Sequence, residues 1–153
     1  MTGFIRDLTL DDIPPMIALF EQVGHEAGWI PRLEFSPEHI ASNLATFIHR
    51  ESVLAIGYQP DADSPICGLL IAEVGAPWYT PTRIASEKVF YVHPAFRRGG
   101  CASALIEHYR EWAERQDVAE KTIGNGLGIQ PEGVRALCES QGFSPIGYIF
   151  KQV

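Results

Sequence analysis

Apolar residues along this 153-residue chain fall into stretches of two different periods, and the period changes where glycine and proline gather. From Ile13 onward, Met16, Ile17, Phe20, Val23 and Ala27 recur three and four apart, which predicts a helix with one apolar face. Asp11 or Asp12 stands where its cap belongs, and Pro14 falls in the first turn, where a missing N–H does no harm. Within "GFIRDLTLDD", residues 3 to 12, the stretch before that cap reads as a short edge strand. After the breaker "GWIPRLEFSP", Ser36 and Pro37 predict a second helix start, with Ile40, Leu44, Phe47 and Ile48 as its buried stripe.

"SVLAIGY" and "ICGLLIAEV" are strand-like runs, and the Pro- and Asp-rich "QPDADSP" between them predicts a hairpin. "GAPWYTPTRIAS" has no clean period and reads as a loop; "EKVFYVHP" is the next strand. Ala102, Leu105, Ile106, Tyr109, Trp112 and Ala113 then predict the clearest helix in the chain. Its outer face carries Arg110 with Glu114 and Glu111 with Arg115, four apart, the mark of a solvated surface. "KTIGNG" reads as a short strand, "PEGVRALCESQGF" as a helix opened by Pro131 and ended by Gly142, and "FSPIGYIFKQV" as final strand material.

No internal repeat divides this pattern, and 46 % hydrophobic content is enough for a single domain over 1–153. A net charge of -7 opposes nucleic acid as a partner, since phosphate backbones are held by Lys and Arg. The apolar runs stop short of a membrane span, and "MTGFIRDLTLDD" lacks the order of a signal peptide, so the expectation is a cytoplasmic protein without a membrane partner. Cys67, Cys101 and Cys138 are widely spaced, with no CxxC pair and no nearby histidine, which predicts reduced thiols and no metal site.

The chemistry gathers in "HPAFRRGGCASALI". A strand, then Pro94, Arg97, Arg98, Gly99 and Gly100, then a helix opening on Cys101, Ala102 and Ser103, aims unpaired N–H groups at an anion, and phosphate is the usual guest. A plain strand-to-helix turn would use the same glycines. No GxxxxGK[ST] or GxGxxG spacing follows this strand, which sets nucleoside triphosphatases and nicotinamide enzymes aside.

"VFYVHPAFRRGGCASALI" resembles the acetyl-CoA loop of the GNAT superfamily of N-acetyltransferases, where an Arg or Gln is followed after two residues by Gly and, two further on, by Gly or Ala. Arg97, Gly100 and Ala102 hold those positions, and "RALCESQGF" is similar to the family's late "ALYEKLGF". The resemblance implies an α/β (α+β) fold: a mixed, mostly antiparallel sheet of about six to seven strands, flanked by about four helices and splayed at its central strands. It implies direct transfer from acetyl-CoA to a primary amine on a small molecule or peptide, without a metal, and it admits a homodimer. The backbone of Phe90, Tyr91 and Val92 would hold the pantetheine arm, residues Arg97 to Ser103 the pyrophosphate, and a donor near Phe90 would polarise the thioester.

A base must deprotonate the amine, and Glu87 at the head of the central strand is the candidate, with strand alternation placing Glu87, Val89 and Tyr91 on one face. A solvent-facing Glu87 paired with Lys88 or Arg83 is the alternative; Glu73, His25 and His93 are weaker candidates. The family's late-helix tyrosine, which protonates the departing thiolate, is replaced here by Cys138, which either donates that proton itself or packs as a small hydrophobe and leaves the step to Tyr79, Tyr91, Tyr148 or to no residue. That replacement also admits a coenzyme A binding module without transferase activity. Asn125 would bond the pantetheine arm or simply close a tight turn, and Trp29, Trp78 and Tyr79 fall in segments that would wall the acceptor side.

Overall fold

The computed structural model describes residues 3–152. Five strands form one sheet in the order β1-β2-β3-β4-β5: Phe4–Asp7, Val53–Gln59, Gly68–Gly75, Ile84–Val92 and Lys121–Thr122. The first four are antiparallel neighbours and β5 joins β4 in parallel. Helices α1 (Ile13–Ala27) and α2 (Pro37–Ile48) cover one face, while α3 (Cys101–Glu114) covers the other, with α4 (Pro131–Ser140) following β5.

Two hydrophobic cores result, one on each face of the sheet. Met16, Leu19 and Val23 of α1 meet Leu69 and Ile71 of β3 on one side. Leu105, Tyr109 and Trp112 of α3 meet Leu54 and Ile56 of β2 and Leu70 of β3 on the other. Alternation along β3 sends successive side chains into opposite cores, so this strand is apolar at nearly every position. Leu105 and Ile106 are fully buried, each burial stabilising the fold by about 1.5–3 kcal/mol.

The ends of the elements follow local chemistry. Ser36 caps α2 by accepting from the His39 N–H at 3.2 Å, with Pro37 in the first turn, as its sequence predicts. Asp12 ends the short turn before α1, but its carboxylate receives two bonds from Arg6, both at 2.8 Å, and one from the Thr9 N–H instead of capping the helix. Along the outer face of α3, Arg110 reaches the Gln141 carbonyl at 3.1 Å rather than Glu114, and so ties α3 to the end of α4.

The sheet has fewer strands than the six to seven expected. "FSPIGYIFKQV" forms no strand within the described residues; Ile146, Tyr148, Ile149 and Phe150 are all at least 80 % exposed. Pro145 has no N–H to offer a ladder and Gly147 favours an open chain, so the first half of the segment is poorly suited to pairing. Phe143, whose N–H donates to the Cys138 carbonyl, is its last contact with the core.

A Cβ built on Gly68 would lie 2.7 Å from the Cys101 sulfur and 3.2 Å from Leu105, both fixed in the core at the start of α3. We predict that Gly68→Ala destabilises the protein by about 1–3 kcal/mol, read in thermal unfolding as about 2–4 °C per kcal/mol. Gly75→Ala, where the same Cβ meets nothing within 4 Å, serves as the control and should be nearly neutral.

Candidate active site

The site begins with a strand that loses its neighbour. β4 and β5 pair only at Ala85 with Lys121 and Ser86 with Thr122, after which the two chains diverge. On its other edge β4 stays paired with β3 up to Val92. The His93 N–H donates to the Cys67 carbonyl at 2.8 Å, and antiparallel alternation from that bond turns the N–H and C=O groups of Tyr91 toward β3. Those of Phe90 and Val92 therefore face the open side.

A cleft of about 310 Å³ fills this opening. Phe90, Tyr91 and Val92 line one wall; Arg97, Arg98, Gly100, Ala102 and Ser103 line its end at α3. The wall opposite β4 comes from Asn125, Leu127, Ile129 and Gln130 in the loop after β5, and from Val134 and Leu137 of α4. Of the residues that sequence assigns to the cofactor, Gly99 and Cys101 do not line the cleft. Cys101 is 1 % exposed, with its sulfur against Gly68 and its thiol pushed up to about 12 by burial.

Gly100 adopts the left-handed conformation, φ +83°, that turns the chain from the strand into α3. No side chain caps this helix and no acid lies in its first turn, so its leading N–H groups have no intrahelical partner. The two arginines divide the work beside it. Arg97 donates through Nε to the Val92 carbonyl at 2.9 Å and through both Nη atoms to the carboxylate of Glu26 on α1, each at 2.6 Å. Arg98 is exposed and engages no hydrogen bond or ion pair among the described residues. It is therefore the arginine whose charge is uncompensated at the helix end.

The Tyr91 hydroxyl also reaches Glu26, donating to it at 2.7 Å, and the Arg97 guanidinium lies 5.5 Å from the Tyr91 ring centre. Arg97 is the main cause that holds the Glu26 carboxyl below the ordinary carboxylate range, with Tyr91 adding to it. Burial and the bond to Glu26 push the Tyr91 phenol well above its usual value. Glu26 has no family motif around it, and sequence alone gives no signal for this partnership across 71 residues.

A β-bulge overturns the expected face of Glu87. Ile71 pairs with Val89 but the adjacent Ala72 pairs with Glu87, leaving Lys88 as the extra residue. Alternation shifts by one at that point: Val89 and Tyr91 pack on the α1 and α2 side, while Ala85 and Phe90 pack on the α3 side. Glu87 follows Ala85. Its carboxylate accepts from the Gly124 N–H at 3.0 Å, where β5 parts from β4, and it acts on the titration of Tyr109 and Cys138. Burial raises the Glu87 carboxyl above its ordinary range and the Gly124 bond partly offsets this. Neither Lys88 nor Arg83 pairs with it: Lys88 reaches Glu73 at 3.2 Å and Arg83 the Asp117 carbonyl at 3.4 Å.

The remaining candidates separate cleanly. Glu73 is held between Lys88 and Arg50, the latter at 2.9 Å, and His93 accepts from the Ala95 N–H as a turn residue. His25 is exposed on α1. Asn125 closes its own loop by donating to the Ile129 carbonyl at 3.0 Å, yet it still lines the cleft. Cys138 is half-buried, and burial followed by the charge of Glu87 raises its thiol, so it stays protonated near neutral pH. Trp29 packs on Gly24 of α1, whereas Trp78 is 95 % exposed at the β3–β4 hairpin tip beside Tyr79. Among the described residues, no group of three or more His, Cys, Asp or Glu is arranged to hold a metal, and no helix is long and apolar enough to cross a membrane.

The fold is shared with solved structures of low sequence identity. An acetyltransferase of Trypanosoma brucei is 16 % identical, with 99 % of each chain covered and a TM-score of 0.73. A transcriptional regulator from Bacillus halodurans is 17 % identical over 99 % of each chain, with a TM-score of 0.78. An aminoglycoside acetyltransferase from an uncultured soil metagenomic sample is 17 % identical over 100 % of this chain and 99 % of that one, at 0.72. No curated protein sequence matches the chain. The sequence model of the acetyltransferase (GNAT) family, however, matches residues 30–143, which span the hairpin, the splayed strand, the glycine turn and α4. With that match and that architecture, the chain belongs to the acetyltransferase (GNAT) family and is an acyltransferase.

Proposed function

We propose that the protein transfers an acetyl group from acetyl-CoA directly to a primary amine of a small molecule or peptide. The observation that carries this reading is the open edge of β4 running into the uncapped start of α3. Coenzyme A has the matching sequence of parts: an extended, diamide pantetheine arm and a pyrophosphate. The N–H and C=O groups of Phe90 and the N–H of Val92 face the open side to bond the arm as a strand would, while the Val92 carbonyl accepts from Arg97. The N–H groups of the first turn of α3 hold the pyrophosphate, and Arg98 adds its charge. Leu127, Ile129, Val134 and Leu137 exclude water along the opposite wall.

Bound acetyl-CoA supplies an activated acetyl thioester. An amine that attacks it must first lose a proton, and Glu87 is the carboxylate placed where the strands part. A base whose affinity for protons is raised by burial is better matched to that task than an exposed glutamate. Among the described residues, Tyr91 is the tyrosine that lines the cleft, and its hydroxyl is committed to Glu26, while Tyr79 and Tyr148 are 67 % and 80 % exposed. Cys138, neutral and half-buried beside Glu87, is the protonated group nearest in kind.

Two outcomes test this reading. Coenzyme A and acetyl-CoA should raise Tm by several degrees where ATP does not, through preferential binding to the folded state. Gly100→Glu, which strains a left-handed residue and places an acid at the anion site, should abolish the shift. Arg98→Gln should reduce it most at low salt. No shift in the wild type at saturating ligand would remove the cofactor assignment; a shift without acetyl transfer to any of a panel of amines would mark a coenzyme A binding module instead.

Glu87→Gln should separate stability from activity. Because folding raises the Glu87 pKa, the native state holds this proton more tightly than the unfolded chain, and ionising Glu87 destabilises the fold as pH rises through and above the ordinary value of 4.5. The variant should thus be at least as stable as wild type at pH 7, with the difference vanishing below about pH 4.5. Its kcat should fall by on the order of 10²–10⁴. An unchanged rate would exclude Glu87 as the base.

A further inference from the structure

Arg97 occupies the position that sequence assigns to the anion, yet its charge is spent inside the protein. Nε holds the Val92 carbonyl, both Nη atoms hold Glu26, and the side chain is only 17 % exposed. Glu26 in turn receives the Tyr91 hydroxyl. Three elements meet at this carboxylate: the last turn of α1, the end of β4 and the turn into α3. Two residues past Glu26, α1 stops at Gly28, φ +79°, and the connection to α2 begins. That connection is fastened back onto α1 by the N–H groups of Trp29 and Ile30, both donating to the Gly24 carbonyl at 3.1 and 3.2 Å, and is tightened within itself by the Leu33 N–H donating to the Trp29 carbonyl. Its anchor is thus the same helical turn that Arg97 grips.

We propose that Glu26 is a positioning residue that couples the cofactor turn to the α1–α2 connection: it commits Arg97 to α1, leaves Arg98 as the arginine for the anion, and transmits occupancy of the turn to residues 24–33. The inference rests on the cofactor assignment made above. A bidentate carboxylate–guanidinium pair fixes orientation as well as distance, so displacement of the turn on binding moves or stiffens the end of α1 with it. The pair also shields the cofactor anion from Glu26, a carboxylate that would otherwise repel it.

Hydrogen exchange on the full chain, with and without coenzyme A, tests this. In wild type, coenzyme A should slow exchange both at residues 97–105 and, by about fivefold or more, at residues 24–33. In Glu26→Gln, the slowing at 97–105 should persist while that at 24–33 is lost. Arg97, no longer neutralised, should then make coenzyme A bind more tightly at low salt, a gain erased at high salt; damage to the fold alone would weaken binding instead. Glu26→Asp keeps the charge but draws it back by one methylene, and should lie between the two, which keeps the test open if the glutamine variant does not fold. Equal protection of 24–33 in wild type and Glu26→Gln, or none in wild type despite protection of 97–105, overturns the coupling. Absence of any coenzyme A binding to wild type would instead remove the cofactor assignment, and the coupling with it.

Discussion

β4 is paired along the whole of one edge and along only two residues of the other. A central strand cannot leave main-chain donors and acceptors unpaired in a dry interior, because each such group loses its water without gaining a partner. The structure meets this constraint with a cleft on the side where β5 has turned away, lined by Phe90 and Val92, and with the Arg97 Nε donor to the Val92 carbonyl. The apolar loop and α4 that wall the cleft, the left-handed Gly100 and the uncapped start of α3 all take their places relative to that open edge. Glu87 and Tyr109 mark where it begins, one holding the Gly124 N–H and the other donating to the Thr122 carbonyl at 2.6 Å. These two side chains continue by hydrogen bonds what the β4–β5 ladder abandons.

The charge distribution follows the same geometry. Two carboxylates border the β4 strand but face opposite cores, and their environments push them apart. Glu26, bonded to Arg97 and Tyr91, is held as an anion to lower pH than an ordinary glutamate. Glu87, with one backbone N–H and no cation, holds its proton to higher pH. A carboxylate bonded twice to an arginine is a poor base, since taking up a proton would break both contacts. A carboxylate that is buried and only once bonded gives up little when it accepts one. The opposite shifts of the two glutamates thus come from their partners rather than from residue type.

Much of the fold was legible from periodicity, because the helices bury one stripe and β3 buries both faces, so pattern and packing agree. Ser36 and Pro37, Gly142, and the Asp-rich hairpin turn were legible for local reasons, each solving a backbone problem within a few residues. The glycine turn before α3, with its left-handed Gly100, was legible through its motif. What lay outside reach were contacts and registers set by distant parts of the chain. A single extra residue at Lys88 reverses the alternation of β4, and it is visible only when β3 is laid alongside. The bond from Arg97 to Glu26 depends on how α1 crosses the end of β4, and Leu127 and Ile129 look like loop residues until α4 closes over the cleft. The final segment failed differently: its aromatic and β-branched residues favour a strand, but Pro145, Gly147 and the short β5 give it no ladder to join.

The bulge links these observations to the chemistry. Had β4 kept strict alternation, Glu87 would share the face of Val89 and Tyr91, beneath α1 and α2, and Lys88, whose ammonium meets Glu73 and lies 5.4 Å from the Phe47 ring, would face the α3 side. Because the extra residue is Lys88 itself, the ammonium and Val89 stay on the α2 side while Glu87 turns toward α3 and α4, into partial burial beside a neutral thiol. One added residue therefore sets the carboxylate on the α3 side at the fork of the strands, with the Gly124 N–H as its partner.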